Sequence, residues 1–244
     1  MIGTGTAINV VAVVLGGALG AVVGHRLPSR SRVLTTDILG LVTGLSAAFS
    51  AVKVSSEALA DRVGTTWPLF IVLFSLLIGG LIGSAARIEE RLENFGEFLK
   101  RRFAGEGDTS FVAGFMSASL VFCIGPLAIL GAFDDALGIG IDKLVLKSVL
   151  DFFASIAFAA SLGWGVAASA IAVGVYQGAL TAVGVVLGSV FDTAQIDAMT
   201  AVGGLLLFGI SLSLLNIKRI AIGDLLPALF IAPVAVSIVS AYLA

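Results

Sequence analysis

Apolar residues run through this chain in blocks of about twenty, and charged residues fall in the gaps between them. No Asp, Glu, Lys or Arg occurs in residues 1–25, 63–86, 109–133, 152–191, 198–217 or 225–244. A helix needs about 20 mostly apolar residues to cross the hydrocarbon core of a bilayer. Read against their punctuation by Gly, Pro and charge, the runs predict eight spanning helices, over about residues 5–24, 33–52, 67–86, 111–133, 144–162, 165–190, 194–215 and 221–243. The run 152–191 is too long for one crossing, since 40 residues make about 60 Å of helix. Gly163-Trp164-Gly165 is therefore expected to be a turn, with Trp164 at the membrane–water boundary.

Composition agrees. Of 244 residues, 58% are apolar and 12% charged, and the mean hydropathy is +1.10. Soluble domains carry about 25% charged residues, so a water-soluble globule is excluded and the fold class expected is an all-α polytopic transmembrane bundle. One cysteine, Cys123, permits no intramolecular disulfide, and with one histidine, His25, it supplies no Cys/His metal cage. No cofactor and no metal are expected. The net charge of −2, with dispersed basic residues, gives no reason to expect a nucleic-acid partner. The start, MIGTGTAINVV, lacks a positive n-region, so it reads as a retained first helix, the alternative being a weak signal anchor.

Basic residues decide orientation. The connections between spans one and two, three and four, and seven and eight hold Arg26, Arg30, Arg32, Arg87, Arg91, Lys100, Arg101, Arg102, Lys218 and Arg219. The opposite side has only Lys53, Arg62, Lys143 and Lys147. Ten of the 14 basic residues against four put both termini on the non-cytoplasmic side. The one strongly charged stretch begins at Ile88, where Ile88, Leu92, Phe95, Leu99 and Phe103 share a helical face. It is expected to be an amphipathic helix on the cytoplasmic leaflet, the alternatives being a solvated linker helix or a docking surface for a soluble partner.

Internal similarity organises the rest. Val13-Val14-Leu15-Gly16 matches Val185-Val186-Leu187-Gly188, Asp37 and Gly44 match Asp197 and Gly204, and Trp67-Pro68-Leu69-Phe70-Ile71 echoes Leu226-Pro227-Ala228-Leu229-Phe230. Spans one to three then resemble spans six to eight in opposite orientation, the inverted-repeat plan of many secondary transporters. The single transmembrane domain, 1–244, divides on this reading into a first repeat (1–86), the amphipathic segment (87–108), two central helices (109–162) and a second repeat (163–244). Gly16, Gly20 and Gly24, Gly40 with Gly44, and Gly79 with Gly83 form four-residue series that let helices approach closely. They serve packing inside the chain or, alternatively, a homodimer seam.

Chemistry concentrates in the middle. Gly125-Pro126 interrupts the fourth span, and Ser117, Ser119 and Cys123 lie within two turns of it. A break there frees carbonyls for an ion or polar solute, the alternative being a simple proline kink. In the fifth span Asp151 lies about seven residues inside the boundary, or about 10 Å deep, with Lys147 one turn nearer the surface and free to snorkel outward while pairing with it. An ionisable group at that depth is costly and marks a functional site, the alternative being a structural Lys–Asp pair. Lesser polar groups in apolar runs are Asn9, Tyr176, Gln177, Thr181 and Asn216; Asp134 and Asp135 read as solvated at the end of span four. The substrate or ion pathway is thus expected to involve Asp151, Lys147, Ser119, Cys123, Gly125, Pro126, Gln177 and Asn216. Signatures of common enzyme classes such as HExxH, GxxxxGK[ST] and GxSxG are absent, so no enzyme is expected.

The stretches SASLVFCIGPLAILGAFDDAL from Ser117, KSVLDFFASIAFA from Lys147, VYQGALT from Val175, MTAVGGLLLFGISLSLLNIKRI from Met199 and LLPALFIAP from Leu225 resemble the bacterial YqgA-like family, domain of unknown function family 554. The likeness covers essentially the whole chain and departs from it at Asp224, where that family commonly has Asn. It implies a multi-pass protein of the bacterial cytoplasmic (inner) membrane without an established activity, sometimes called a transporter. The function expected is transport of a small solute or ion, coupled to a proton or cation, with the lipid bilayer and that solute as partners. A non-transporting membrane scaffold or sensor acting through the amphipathic helix is the alternative.

Overall fold

The computed structural model describes residues 2–24, 28–103, 110–124, 126–187 and 191–243, and no strand occurs among them. Its helices are α1 (Thr4–Gly24), α2 (Ser29–Ala51), α3 (Glu57–Val63), α4 (Trp67–Ala86), α5 (Ile88–Phe103), α6 (Phe111–Cys123), α7 (Pro126–Ala136), α8 (Asp142–Leu162), α9 (Gly165–Leu187), α10 (Thr193–Leu214), α11 (Ile222–Leu225) and α12 (Ala228–Leu243). A 3-10 turn, Val52–Ser55, joins α2 to α3. Seven helical stretches are long and apolar enough to cross a membrane by themselves, and α6 with α7, bent by 62°, make an eighth if the pair is one span. The turn at Gly163-Trp164-Gly165 is present, with Gly163 at φ 75° and Trp164 40% exposed. Outward faces are apolar: Phe49, Leu81 and Val186 are 71%, 73% and 78% exposed. Faces so apolar are stable only against lipid, and the chain is a multi-pass membrane protein.

The chain forms two compact units, Met1–Leu41 with Leu92–Val190, and Val42–Arg91 with Phe191–Ala244. In the first unit α1 lies along α8. A Cβ on Gly5 would stand 2.8 Å from Leu144 Cβ, one on Gly16 2.9 Å from Ser155 Cβ, one on Gly20 2.8 Å from Ile156 Cα and one on Gly24 2.7 Å from Ala160 Cα. Partners rise together along both chains, so α1 and α8 are parallel, and the four-residue glycine series is what lets their backbones meet. Helix α9 runs antiparallel to α1: a Cβ on Gly17 would lie 2.8 Å from Ala167 Cβ, and one on Gly174 3.1 Å from Val10 Cγ2.

The bent pair runs alongside α9. A Cβ on Gly165, at the start of α9, would lie 2.8 Å from Phe115 N in α6, and one on Gly184, near its end, 2.7 Å from Ala136 Cβ in α7. From residue 165 to 184, α9 advances about 28 Å at 1.5 Å per residue, close to the thickness of a bilayer core. The pair accompanies α9 over that whole length and does not turn back. A pair that crosses would give α8 the direction of α1, in keeping with their parallel packing.

The second unit is built the same way. Helix α4 runs antiparallel to α12, with Gly79 against Ala228 (2.6 Å from a built Cβ to Cα) and Gly83 against Asp224. The end of α2 runs antiparallel to α10, with Gly44 2.8 Å from Ser211 Oγ and Gly204 2.5 Å from Ala51 N, again measured from built Cβ atoms. Glycines 16, 20, 24, 44, 79 and 83 thus all pack against other helices of the same chain. Asp192 and Gln195 close a capping box at the start of α10. The amphipathic α5 forms as expected, but part of its apolar face packs on the chain itself. Leu99 is buried with Phe111 and Phe115, and the Phe95 and Phe115 rings meet edge to face at 5.8 Å.

Candidate functional site

The first unit encloses a polar network at the middle of its helices. Asp151 is nine residues into α8, about 14 Å along its axis. Its Oδ2 accepts from the Lys147 ammonium one turn earlier. The same oxygen accepts from Asn9 Nδ2 of α1 at 3.0 Å, and Asn9 Nδ2 also donates to Gln177 Oε1 of α9 at 3.3 Å. Asn9 and Gln177 are fully buried, Lys147 is 6% exposed and Asp151 7%. Lys147 therefore does not snorkel to the surface; Asp151 holds its ammonium inside. Burying one charge alone is prohibitive, but a hydrogen-bonded pair offsets much of that cost.

Local sequence places each group. Lys147, Asp151 and Ser155 recur every four residues on the buried face of α8, and Thr6, Asn9, Val13, Gly16 and Gly20 line the facing stripe of α1. The carboxamide of Asn9 reaches both neighbours because the glycines beyond it draw the three helices together. On α9 the Gln177 carbonyl accepts from Thr181 Oγ1 at 2.9 Å.

The network is incompletely satisfied. Asn9 Oδ1, Gln177 Nε2, Ser119 Oγ, Ser155 Oγ and Tyr176 OH are buried and have no hydrogen-bond partner among the described residues. Buried polar atoms are nearly always paired, and this cluster of unpartnered ones makes the network the candidate site.

The broken span borders it. Helix α6 ends at Cys123, and Ile124 is extended, at φ −86° and ψ 105°. Pro126 opens α7 and has no N–H, so the Phe122 carbonyl lacks its usual donor four residues on. Phe122 packs edge to face on Phe158 of α8 at 6.0 Å, which fixes the broken end against the helix of Asp151. Cys123 lies within electrostatic reach of Lys147 and Asp151, and Tyr176 within reach of Cys123. The structure thus gathers Asp151, Lys147 and Gln177 around Asn9. Ser119 lies one turn before Cys123, and Gly125 falls outside the described residues.

Two sequence expectations need correction. Asn216 is not in this network. It follows α10 in the other unit, exposed and left-handed at φ 55°. Its N–H bonds to Ser213 O at 3.1 Å and that of Ile217 to Leu212 O at 2.9 Å, a Schellman helix end for which Asn is suited. Asp135 is not solvated but 3% exposed. Its Oδ1 accepts from Gly3 N at 3.2 Å and its Oδ2 from Gly5 N at 3.1 Å, so α7 caps the positive end of α1. Asp134 pairs with Lys143. Asn9, which sequence ranked among lesser groups, is the hub. Its signal was a carboxamide on the small-residue face of a helix otherwise free of amides.

Residues 4–237 match the family described as protein of unknown function, DUF554. The chain is 31% identical over 238 residues to the uncharacterized membrane protein YdfK of Bacillus subtilis (strain 168), covering 98% of this chain and 97% of that one. It is 30% identical over 235 residues to the uncharacterized protein YqgA of Escherichia coli (strain K12), covering 93% and 94%. No solved structure matches.

Proposed function

The chain belongs to the DUF554 family, and within it we propose that this protein is a transporter, not an enzyme, carrying a small solute or ion through the first unit. The observation that carries this reading is the buried, incompletely satisfied network of Lys147, Asp151, Asn9 and Gln177 beside a broken helix. A purely structural pair would be expected to have its surrounding amides and hydroxyls satisfied. Unwound backbone next to an intramembrane carboxylate is the arrangement in which transporters hold cargo or coupling ions.

An inverted repeat of spans one to three and six to eight fits this reading. Its three equivalent pairs, α1 with α9, α2 with α10 and α4 with α12, each pack antiparallel, as a two-fold axis in the membrane plane requires. Gly44 and Gly204, equivalent in sequence, are both close-approach points on the α2–α10 pair. The excess of basic residues on one side of the eight spans favours non-cytoplasmic termini in the bacterial inner membrane. The alternative of a scaffold acting through α5 is less well supported, because Phe95 and Leu99 of that helix are already engaged by α6.

Cys123 is the sole thiol of the chain and tests the reading directly. In oriented vesicles, membrane-impermeant thiol reagents are expected to reach it from each side in turn, with Asp151→Asn altering the balance. Labelling from neither side, together with no flux across a panel of ions, amino acids and carboxylates, overturns it.

A further inference from the structure

We propose that the network receives a small zwitterion, a net-neutral solute bearing one ammonium and one carboxylate in the manner of an amino acid. This rests on the transporter reading above and adds the class of cargo. The argument begins with charge. Among the helices that build the network, α1 and α9 carry no charged side chain, and α8 carries only Lys147 and Asp151 beyond Asp142 and Lys143 at its start; Asp134 and Asp135 lie at the end of α7, and the charges of α2 (Arg30, Arg32, Asp37) and α5 lie on other helices. The site is formally neutral. A bare cation or anion entering it brings a net charge into a low-dielectric region where the cost is high, whereas a zwitterion brings none.

The uncommitted hydrogen-bonding groups are balanced in the same way. Among the described residues Lys147 Nζ donates to Asp151 alone, and Gln177 Nε2 donates to nothing. Both are donors suited to a carboxylate. On the other side, Asp151 uses only Oδ2 and Asn9 Oδ1 accepts nothing, and both suit an ammonium. Ser155 Oγ, one turn beyond Asp151 on the same buried face and also unpartnered, serves either pole. A carboxylate set against Lys147 and an ammonium set against Asp151 replace the internal ion pair one for one, so the pair opens without leaving either charge alone. A divalent metal is poorly matched, because no three His, Cys, Asp or Glu side chains converge among the described residues.

The experiment uses the full chain, purified in detergent and reconstituted. Unfolding temperature is measured with a panel of zwitterionic amino acids headed by glycine, and with the two halves of glycine given separately as methylammonium and acetate, alongside sodium and chloride. At least one zwitterion is expected to raise the unfolding temperature by several degrees, as a ligand of the folded state must, while neither half does so at the same concentration. Asp151→Asn is expected to shift the response toward acetate and Lys147→Met toward methylammonium. Stabilisation of the wild type by one half or by sodium, with no zwitterion effective, overturns the proposal and leaves the transporter reading standing. No response to any zwitterion also overturns it, and the accessibility of Cys123 from the two sides then decides the transporter reading separately. If the variants fail to fold, the wild-type comparison of zwitterion with its halves is decisive alone.

Discussion

Asn9 Nδ2 stands 3.0 Å from Asp151 Oδ2, so a carboxamide on the first helix fixes the carboxylate of a helix 142 residues later in the chain. Asn9→Ala removes that bond and the 3.3 Å bond to Gln177. Interhelical hydrogen bonds in membranes contribute on the order of 1 kcal/mol each, so the expected loss of stability is about 1–2 kcal/mol, with a much larger loss of flux. Asn9→Asp sets a second carboxylate beside the first and is expected to be the more damaging. Unfolding temperature and vesicle flux, measured on both variants, check the order. Equal flux in Asn9→Ala and wild type sinks the idea that Asn9 positions Asp151.

The ion pair on α8 predicts a coupling between its members. Removing one partner of a buried pair leaves the other uncompensated and costs about 3–5 kcal/mol, whereas replacing both with uncharged side chains costs much less. Asp151→Asn and Lys147→Met are each expected to be strongly destabilised, and the double variant to recover much of the loss. Flux is expected to be absent in all three. Additive destabilisation in the double variant would show that the two groups are not paired in the membrane.

Charge and glycine made much of this legible in the sequence. Charge-free blocks located the spans, since lipid tolerates few charges, and Trp67 and Ala86 bound α4 as expected. Gly125-Pro126 marked span four for a break or a kink, and the structure shows the break, whereas Pro233 lies within a continuous α12. Two kinds of feature were hidden. One is the meeting of groups far apart in the chain: Asn9 with Asp151, and Asp135 with Gly5, depend on which helices neighbour each other, and apolar periodicity does not encode that. The other is backbone conformation. Asn216 looked like an intramembrane amide, but it serves a left-handed helix end, and α3 was missed because its Ser56 cap precedes only seven residues.

The parallel contact of α1 and α8 depends on its glycines. A Cβ on Gly20 would stand 2.8 Å from Ile156 Cα and 2.9 Å from Ala159 Cβ, and backbone cannot move aside as a flexible side chain can. Gly20→Ala is expected to cost about 1–3 kcal/mol, and Gly20→Leu to prevent folding. Gly178 is the control. A Cβ there meets nothing within 4 Å, so Gly178→Ala is expected to be neutral or to stabilise α9 by about 0.5–1 kcal/mol. Unfolding temperatures of the two alanine variants, compared in one detergent, test the contrast.

Asn216 separates a structural amide from a transporting one. Its φ of 55° is a conformation that glycine adopts freely and alanine at a cost of about 1 kcal/mol. Asn216→Gly is expected to keep the stability of the wild type, Asn216→Ala to lose about 1 kcal/mol, and both to retain flux. A loss of flux in Asn216→Gly at unchanged stability would return this residue to the pathway.

The passage of α6 and α7 along the whole of α9 predicts which side of the membrane the next loop occupies. Arg101 in α5 precedes the pair and Ile139, 70% exposed, follows it. If the bent pair crosses, these positions face opposite sides; if it were re-entrant, both would face the same one. The crossing also sets the direction of α8, and so whether Lys147 and Asp151 can meet Asn9 from a parallel helix. In a chain whose Cys123 is replaced by Ser, single cysteines at Arg101 and Ile139 are expected to react with an impermeant thiol reagent from opposite faces of oriented vesicles. Labelling of both from one face would invert α8 relative to α1 and dissolve the contacts that build the site.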